Sequence, residues 1–196
     1  MDSGDFDGAD LRNFVAQYRH LIEKVPWHLT DLIHRLPSGT AQTQALKMLE
    51  VELGPPSQLE LFDLSAAAQG AIAAERSKAM GHLLSTYEYA FEHSDRAAFC
   101  ALIVPTMQSS ELMAAVRRFI SRYYSDSSSV HEYWRRREDR DAFYAQWMVK
   151  GLESVMNPDD NITPCARAVN GAWWQFLNEQ DSWCSSAKYA RRRVSL

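Results

Sequence analysis

With 196 residues, 46% of them hydrophobic and 23% charged, the chain has the size and composition of one soluble globular domain and not of a disordered segment. A net charge of −4 with no broad basic excess argues against nucleic acid as the partner. No apolar run approaches the ~20 residues that span a bilayer, and the acidic opening Met1-Asp-Ser-Gly-Asp-Phe-Asp-Gly is the opposite of a signal-peptide start, so no membrane partner and a cytoplasmic location are expected.

The apolar spacing is helical from the start. Leu11, Phe14, Val15, Tyr18, Leu21, Ile22 and Val25 recur at three and four, and Pro26 bends or interrupts this helix before Trp27, Leu29, Leu32, Ile33 and Leu36 continue its face to Pro37-Ser38-Gly39. Thr40 is the expected N-cap of a helix carrying Leu46, Met48, Leu49, Val51 and Leu53 up to Gly54-Pro55-Pro56. Ser57 caps the next, which runs through Leu61, Phe62 and Leu64 to Gly70. A further helix covers about 77–93. Ser94 or Asp95 starts a segment ending near Pro105, and Ser109 or Ser110 begins another with Leu112, Met113, Val116, Phe119, Ile120 and Tyr123 on one face. Asp126-Ser127-Ser128-Ser129 reads as a polar loop before a long helix over 130–156. Asn157-Pro158-Asp159-Asp160-Asn161 is a turn, and the last helix covers about Thr163 to Trp183.

No stretch reads as a strand. Seven or eight helices with short connections imply an all-α bundle in a single domain over 1–196, with 1–8 and 185–196 as flexible tails. The basic run Lys188, Arg191, Arg192, Arg193 reads as part of that solvated tail. Cys100, Cys165 and Cys184 are odd in number and widely spaced, which suits reduced thiols better than a disulfide framework or a zinc site. His20, His28, His34, His82 and His93 share no metal-ligand spacing and read as surface or core histidines. Aromatic residues concentrate late in the chain. Trp173 and Trp174 cannot face the same way, so one of them lines a cavity or an interface, which leaves room for a homodimer.

Four stretches together resemble the heme-oxygenase-like oxidases, the non-heme di-iron relatives of the PQQ-synthesis oxidase and the thiaminase-type proteins. They are the opening helix from Leu11 to Leu29 with its Pro26-Trp27, and Leu49-Glu-Val-Glu-Leu-Gly-Pro-Pro-Ser-Gln-Leu-Glu-Leu-Phe62. The others are the 130–150 helix and the closing Ala166-Arg-Ala-Val-Asn-Gly-Ala-Trp-Trp-Gln-Phe-Leu177. In that family the 130–150 helix would carry His, Asp and His at i, i+4 and i+7, on one face and bound to iron. Here Arg137, Asp141 and Tyr144 stand at those positions. The first Glu of the family pattern is matched by Glu52, the first His falls at Gln58 or Leu59, and the second Glu falls at Thr106.

The resemblance therefore implies the bundle with a degenerate metal site. A di-iron centre needs about four to six converging carboxylate or imidazole groups, and only Glu52 and Asp141 remain, with a guanidinium between them. Arg137 is expected inside the bundle, paired with Asp141 or Glu52 in place of a metal. No cofactor is expected. The former metal pocket would be lined by Glu52, Gln58, Thr106, Arg137, Asp141 and Tyr144, with the apolar Trp134 and Met148 on the same helix face. Such a pocket suits a small substrate bearing a carboxylate, held by Arg137, with Glu52 or Asp141 as general base and Tyr144 as proton donor or oxyanion support. Gln58, Thr106 and Trp134 would contact the substrate. Three functions stay open: a metal-independent enzyme of biosynthesis in specialised metabolism, a non-catalytic binding protein or partner subunit, and an iron oxidase whose ligands lie elsewhere. Cys100, near this pocket, reads as a buried inert thiol.

Overall fold

Asp7 starts the first helix by accepting the backbone N–H of Ala9 and Asp10, while the Asp10 carboxylate takes the N–H of Asp7 in return. The computed structural model describes the backbone at 7–124 and 128–194, and side chains within those spans except at 107–113, 115, 119, 128, 142 and beyond 180. Among the described residues there are seven helices and no strand: α1 Gly8–Arg35, α2 Thr40–Leu53, α3 Gln58–Ala68, α4 Lys78–His93, α5 Asp95–Tyr123, α6 Ser128–Val155 and α7 Thr163–Val194. They form a single all-α bundle.

Three helix starts follow from side-chain caps. Ser57 accepts from the N–H of Glu60, whose carboxylate returns to the Ser57 backbone; Ser77 and Ser94 cap α4 and α5 in the same sense. After α3 the chain turns out through Gly70 at φ 70, a left-handed conformation that glycine adopts without strain. The segment that follows is held by α1: Gln17 donates to the Glu75 carbonyl at 2.8 Å and accepts the Ser77 N–H at 2.9 Å.

Several expected boundaries differ. Pro26 neither interrupts α1 nor ends it, and Pro105 lies inside one continuous α5, so no new helix begins at Ser109 or Ser110. Each proline removes one N–H, but the surrounding turns are buried (Leu21, Ile22 and Leu29 in α1; Ala98 to Ile103 in α5), and this packing carries the helix across the gap. On the second half of α5, Val116 and Ile120 are buried and Tyr123 is half-exposed, whereas the side chains of Leu112, Met113 and Phe119 lie outside those described. Ser128 and Ser129 already belong to α6; Asp126 and Ser127 lie outside the described residues.

The buried stripe of α2 is the expected one only in part, with Met48 inside it and Leu49 and Val51 half-buried against the core. Leu46 and Leu53 face solvent, while Ala41, Gln44, Ala45, Met48 and Glu52 face inward, so α2 presents small and polar groups to α6. The backbone of α7 continues to Val194; the side chains of Trp183, Cys184 and the basic run 188–193 lie outside those described.

α6 packs against α5, α2 and α3, and α4 against α5 and α7, while the backbone of α1 comes close to every helix but α6. Where α1 and α6 face one another, large rings fill the space instead of close backbone approach. Tyr18 of α1 stacks on Trp134 of α6 at 6.4 Å, and Phe62 of α3 meets Tyr133 edge-on at 4.9 Å. The polar cluster described next sits along this wide interior.

Candidate functional site

Two helices supply the cluster. Glu52 comes from the inward stripe of α2, and Tyr133, Arg137, Arg140, Asp141 and Tyr144 come from successive turns of α6. Spacings of three and four bring residues 133, 137, 140 and 144 onto one stripe of that helix. All are buried or nearly so, Glu52 at 4% and Arg140 at 7% exposed. Arg140 Nη1 donates to Glu52 Oε1 at 2.8 Å, and the Tyr144 hydroxyl donates to the same oxygen at 2.9 Å while lying 2.8 Å from the Met48 carbonyl. Arg140 also stands 3.4 Å from Asp141 and over the Tyr144 ring at 4.5 Å. Arg137 Nε lies 3.3 Å from Asp141 Oδ1, its Nη1 donates to the Tyr133 hydroxyl at 3.3 Å, and its guanidinium stands over the Tyr18 ring at 5.9 Å.

The electrostatics are balanced. Two guanidinium groups face two carboxylates in a desolvated interior, so each charge is compensated by a partner that is itself buried. Burial, with the neighbouring Glu52 charge adding to it, raises the Tyr144 hydroxyl well above its usual range, and burial raises Tyr133 and Tyr18 likewise. All three therefore keep their protons. Tyr144 is a hydrogen-bond donor suited to supporting a developing oxyanion, and it is a poor acid for giving its proton away.

The structure thus places Arg137 beside Asp141 inside the bundle, as the face spacing implied, but gives Glu52 to a different arginine. Arg140 was legible as i+3 from Arg137 and i−4 from Tyr144, on the same stripe. It was missed because the resemblance singles out positions 137, 141 and 144 alone. The other expected residues are distributed unevenly. Gln58 is buried at the start of α3, with its Oε1 unpartnered among the described residues. Thr106 lies on α5 against Met148, one turn beyond Tyr144, and its hydroxyl donates to the Leu102 carbonyl of its own helix at 2.9 Å. Trp134 is sealed in the core below the cluster, and its indole N–H goes to Ser65 Oγ at 3.1 Å, so it does not face a cavity.

An open cleft of about 410 Å³ leads from the surface to this cluster between α2, α3 and α6. Val51, Pro55, Phe143 and Trp147 form apolar walls, and Gln58 and Arg140 also line it. Arg140 Nε, like Gln58 Oε1, is buried and without a hydrogen-bond partner among the described residues. Unpaired buried polar atoms are costly, so two on residues that line one cleft call for a function or an occupant.

The residues present do not fit a di-iron group. Both carboxylates of the cluster, Glu52 and Asp141, are held by arginines, and no three His, Cys, Asp or Glu come together as a ligand set among the described residues. Of the histidines, His28 is buried against the Phe91 ring at 4.7 Å, a core position. Trp173 points inward and donates to the Tyr87 hydroxyl at 3.1 Å, while Trp174 is 54% exposed. Compared with protein-family models and with curated proteins, the sequence matches none.

Proposed function

We propose that the chain acts without a metal on a small molecule bearing a carboxylate, through the α2–α3–α6 cleft and the charge cluster behind it. We take the bundle to be heme-oxygenase-like with a degenerate metal site. The observation that supports the reading is the position of Arg140. One edge of its guanidinium holds Glu52 in the interior, while its Nε, buried beside the cleft, remains unpartnered, as does Gln58 Oε1.

A ligand carboxylate would accept from Arg140 Nε and from the Gln58 amide, whose oxygen and nitrogen exchange places by a half-turn of its last bond. Arg140 and Tyr144 both donate to Oε1 of Glu52. Oε2 is then the oxygen that would take a proton from the substrate, and the Tyr144 hydroxyl would support the charge that develops. Isomerisation, cyclisation, condensation and hydrolysis all use that pair of roles.

A second reading, a non-catalytic binding protein or partner subunit, is favoured by the closed pairing of Glu52, Arg140, Asp141 and Arg137. It keeps the binding step and removes the chemistry. Thermal-shift and calorimetric titration of the full chain with a panel of mono- and dicarboxylates, and with their methyl esters, tests what both share. Free acids should bind, esters should not, and Arg140→Gln should lose the binding. If no acid binds, or R140Q binds as the parent does, the cleft is not the site. NMR of a bound acid then separates the readings: conversion that stops in Glu52→Gln while binding persists marks an enzyme.

A further inference from the structure

The helices α4, α5 and α7 enclose a second cleft, about 340 Å³ in volume, lined in part by Tyr89, His93, Arg96, Pro164, Cys165 and Val169. None of its residues belongs to the charge cluster. Tyr89 stacks on His93 at 5.4 Å, and Arg96 is engaged with Asp160 from the turn that precedes α7. Cys165, half-buried in the first turn of α7, is the nucleophilic atom of the lining.

Behind it, on α5, stands Cys100, 2% exposed and not part of the cleft wall. Though distant in sequence, the two thiols are brought side by side where α5 packs on α7. Each also lies near a main-chain carbonyl of the other's segment, Cys165 Sγ at 3.6 Å from Ala97 and Cys100 Sγ at 4.0 Å from Ile162. The pair is asymmetric in access: one sulfur meets the cleft and the other reaches solvent only past it. It is asymmetric in charge as well. The neighbouring Cys100 holds the Cys165 thiol below its usual range, and Cys165 in turn, together with burial, holds Cys100 protonated.

We propose that Cys165 is a modification site for small oxidants of the peroxide class that enter by this cleft, and that Cys100 resolves the product into a Cys100–Cys165 disulfide joining α5 to α7. The Cys165 thiolate attacks one peroxide oxygen, the O–O bond breaks, and hydroxide leaves and takes up a proton as water. Cys165 is then a sulfenic acid. The Cys100 sulfur attacks it, the S–O bond breaks, and the hydroxyl departs as water with the Cys100 proton. Two thiols are oxidised, one peroxide is reduced, and two waters form. A thiol reductant reverses the bond.

The test treats the reduced full chain with stoichiometric hydrogen peroxide, blocks remaining thiols under denaturing conditions, and maps the peptides by mass. The parent should lose two hydrogens and yield a Cys100–Cys165 linked peptide that dithiothreitol separates. Cys100→Ser should stop at the sulfenic acid, trapped on Cys165 by dimedone. Cys165→Ser, or Cys165→Ala where serine is not tolerated, should leave Cys100 unreacted at the same dose. The proposal fails if Cys100 is oxidised as readily without Cys165, or if the disulfide that forms runs through Cys184.

Discussion

Arg140 and Glu52 form the pair on which the interior polar cluster depends, and their burial makes the consequence of separating them large. Arg140→Leu leaves a carboxylate in the core with only Tyr144 donating to it, and should lower unfolding free energy by about 3–5 kcal/mol. Removing both charges in Glu52→Gln/Arg140→Leu should recover much of that loss, because the stranded charge, not the lost bond, is the larger cost. Urea unfolding of both variants checks this; a single variant as stable as the parent would mean the pair is solvated. His28 adds a pH dependence. Burial lowers its folded-state pKa, with Lys24 acting in the same sense and Glu88 and Asp31 opposing. The unfolded chain then takes up the proton first, so stability should fall as pH drops below about 6.5 and hold above it. His28→Phe, which keeps a ring against Phe91, should flatten that loss between about pH 7 and pH 5; an unchanged pH profile would assign it to other groups.

The helices show where local signals suffice and where they do not. The starts of α3, α4 and α5 were readable because Ser57, Ser77 and Ser94 cap them within three residues, a purely local arrangement. Pro26 and Pro105 misled because a missing N–H is a local defect, and burial of the turns on either side, which the sequence does not display, outweighs it. The polar stripe of α2 was hidden for a related reason: Leu46 and Leu53 look like core by type, but the buried face is set by Ala41, Gln44, Ala45, Met48 and Glu52. Close packing of α5 on α6 is likewise invisible before folding. A methyl group on Gly151 would collide with the Phe99 ring, so Gly151→Ala should cost about 1–3 kcal/mol through overpacking. Gly81, in α4, has open space at the same atom, and Gly81→Ala should be neutral or stabilise by about 0.5–1 kcal/mol. Thermal melts of the two variants compare them directly, and equal effects would contradict the close approach at Gly151.

For the whole molecule, the all-helical bundle was legible from apolar spacing. The candidate site was legible in half: the Arg137–Asp141 pair and the inward face of Tyr144 followed from spacing, and Glu52 was picked out by the resemblance alone, whereas Arg140 and the meeting of Cys100 with Cys165 depend on how distant helices dock. The central claim is that arginines, and not a metal, hold Glu52 and Asp141, behind an open cleft between α2, α3 and α6. Elemental analysis of the full chain, produced with supplemented iron and dialysed, tests it most directly. The expected result is no stoichiometric iron, with Glu52 and Asp141 retained by Arg140 and Arg137. Two equivalents of iron per chain that survive dialysis would contradict it and return the carboxylates to a metal centre.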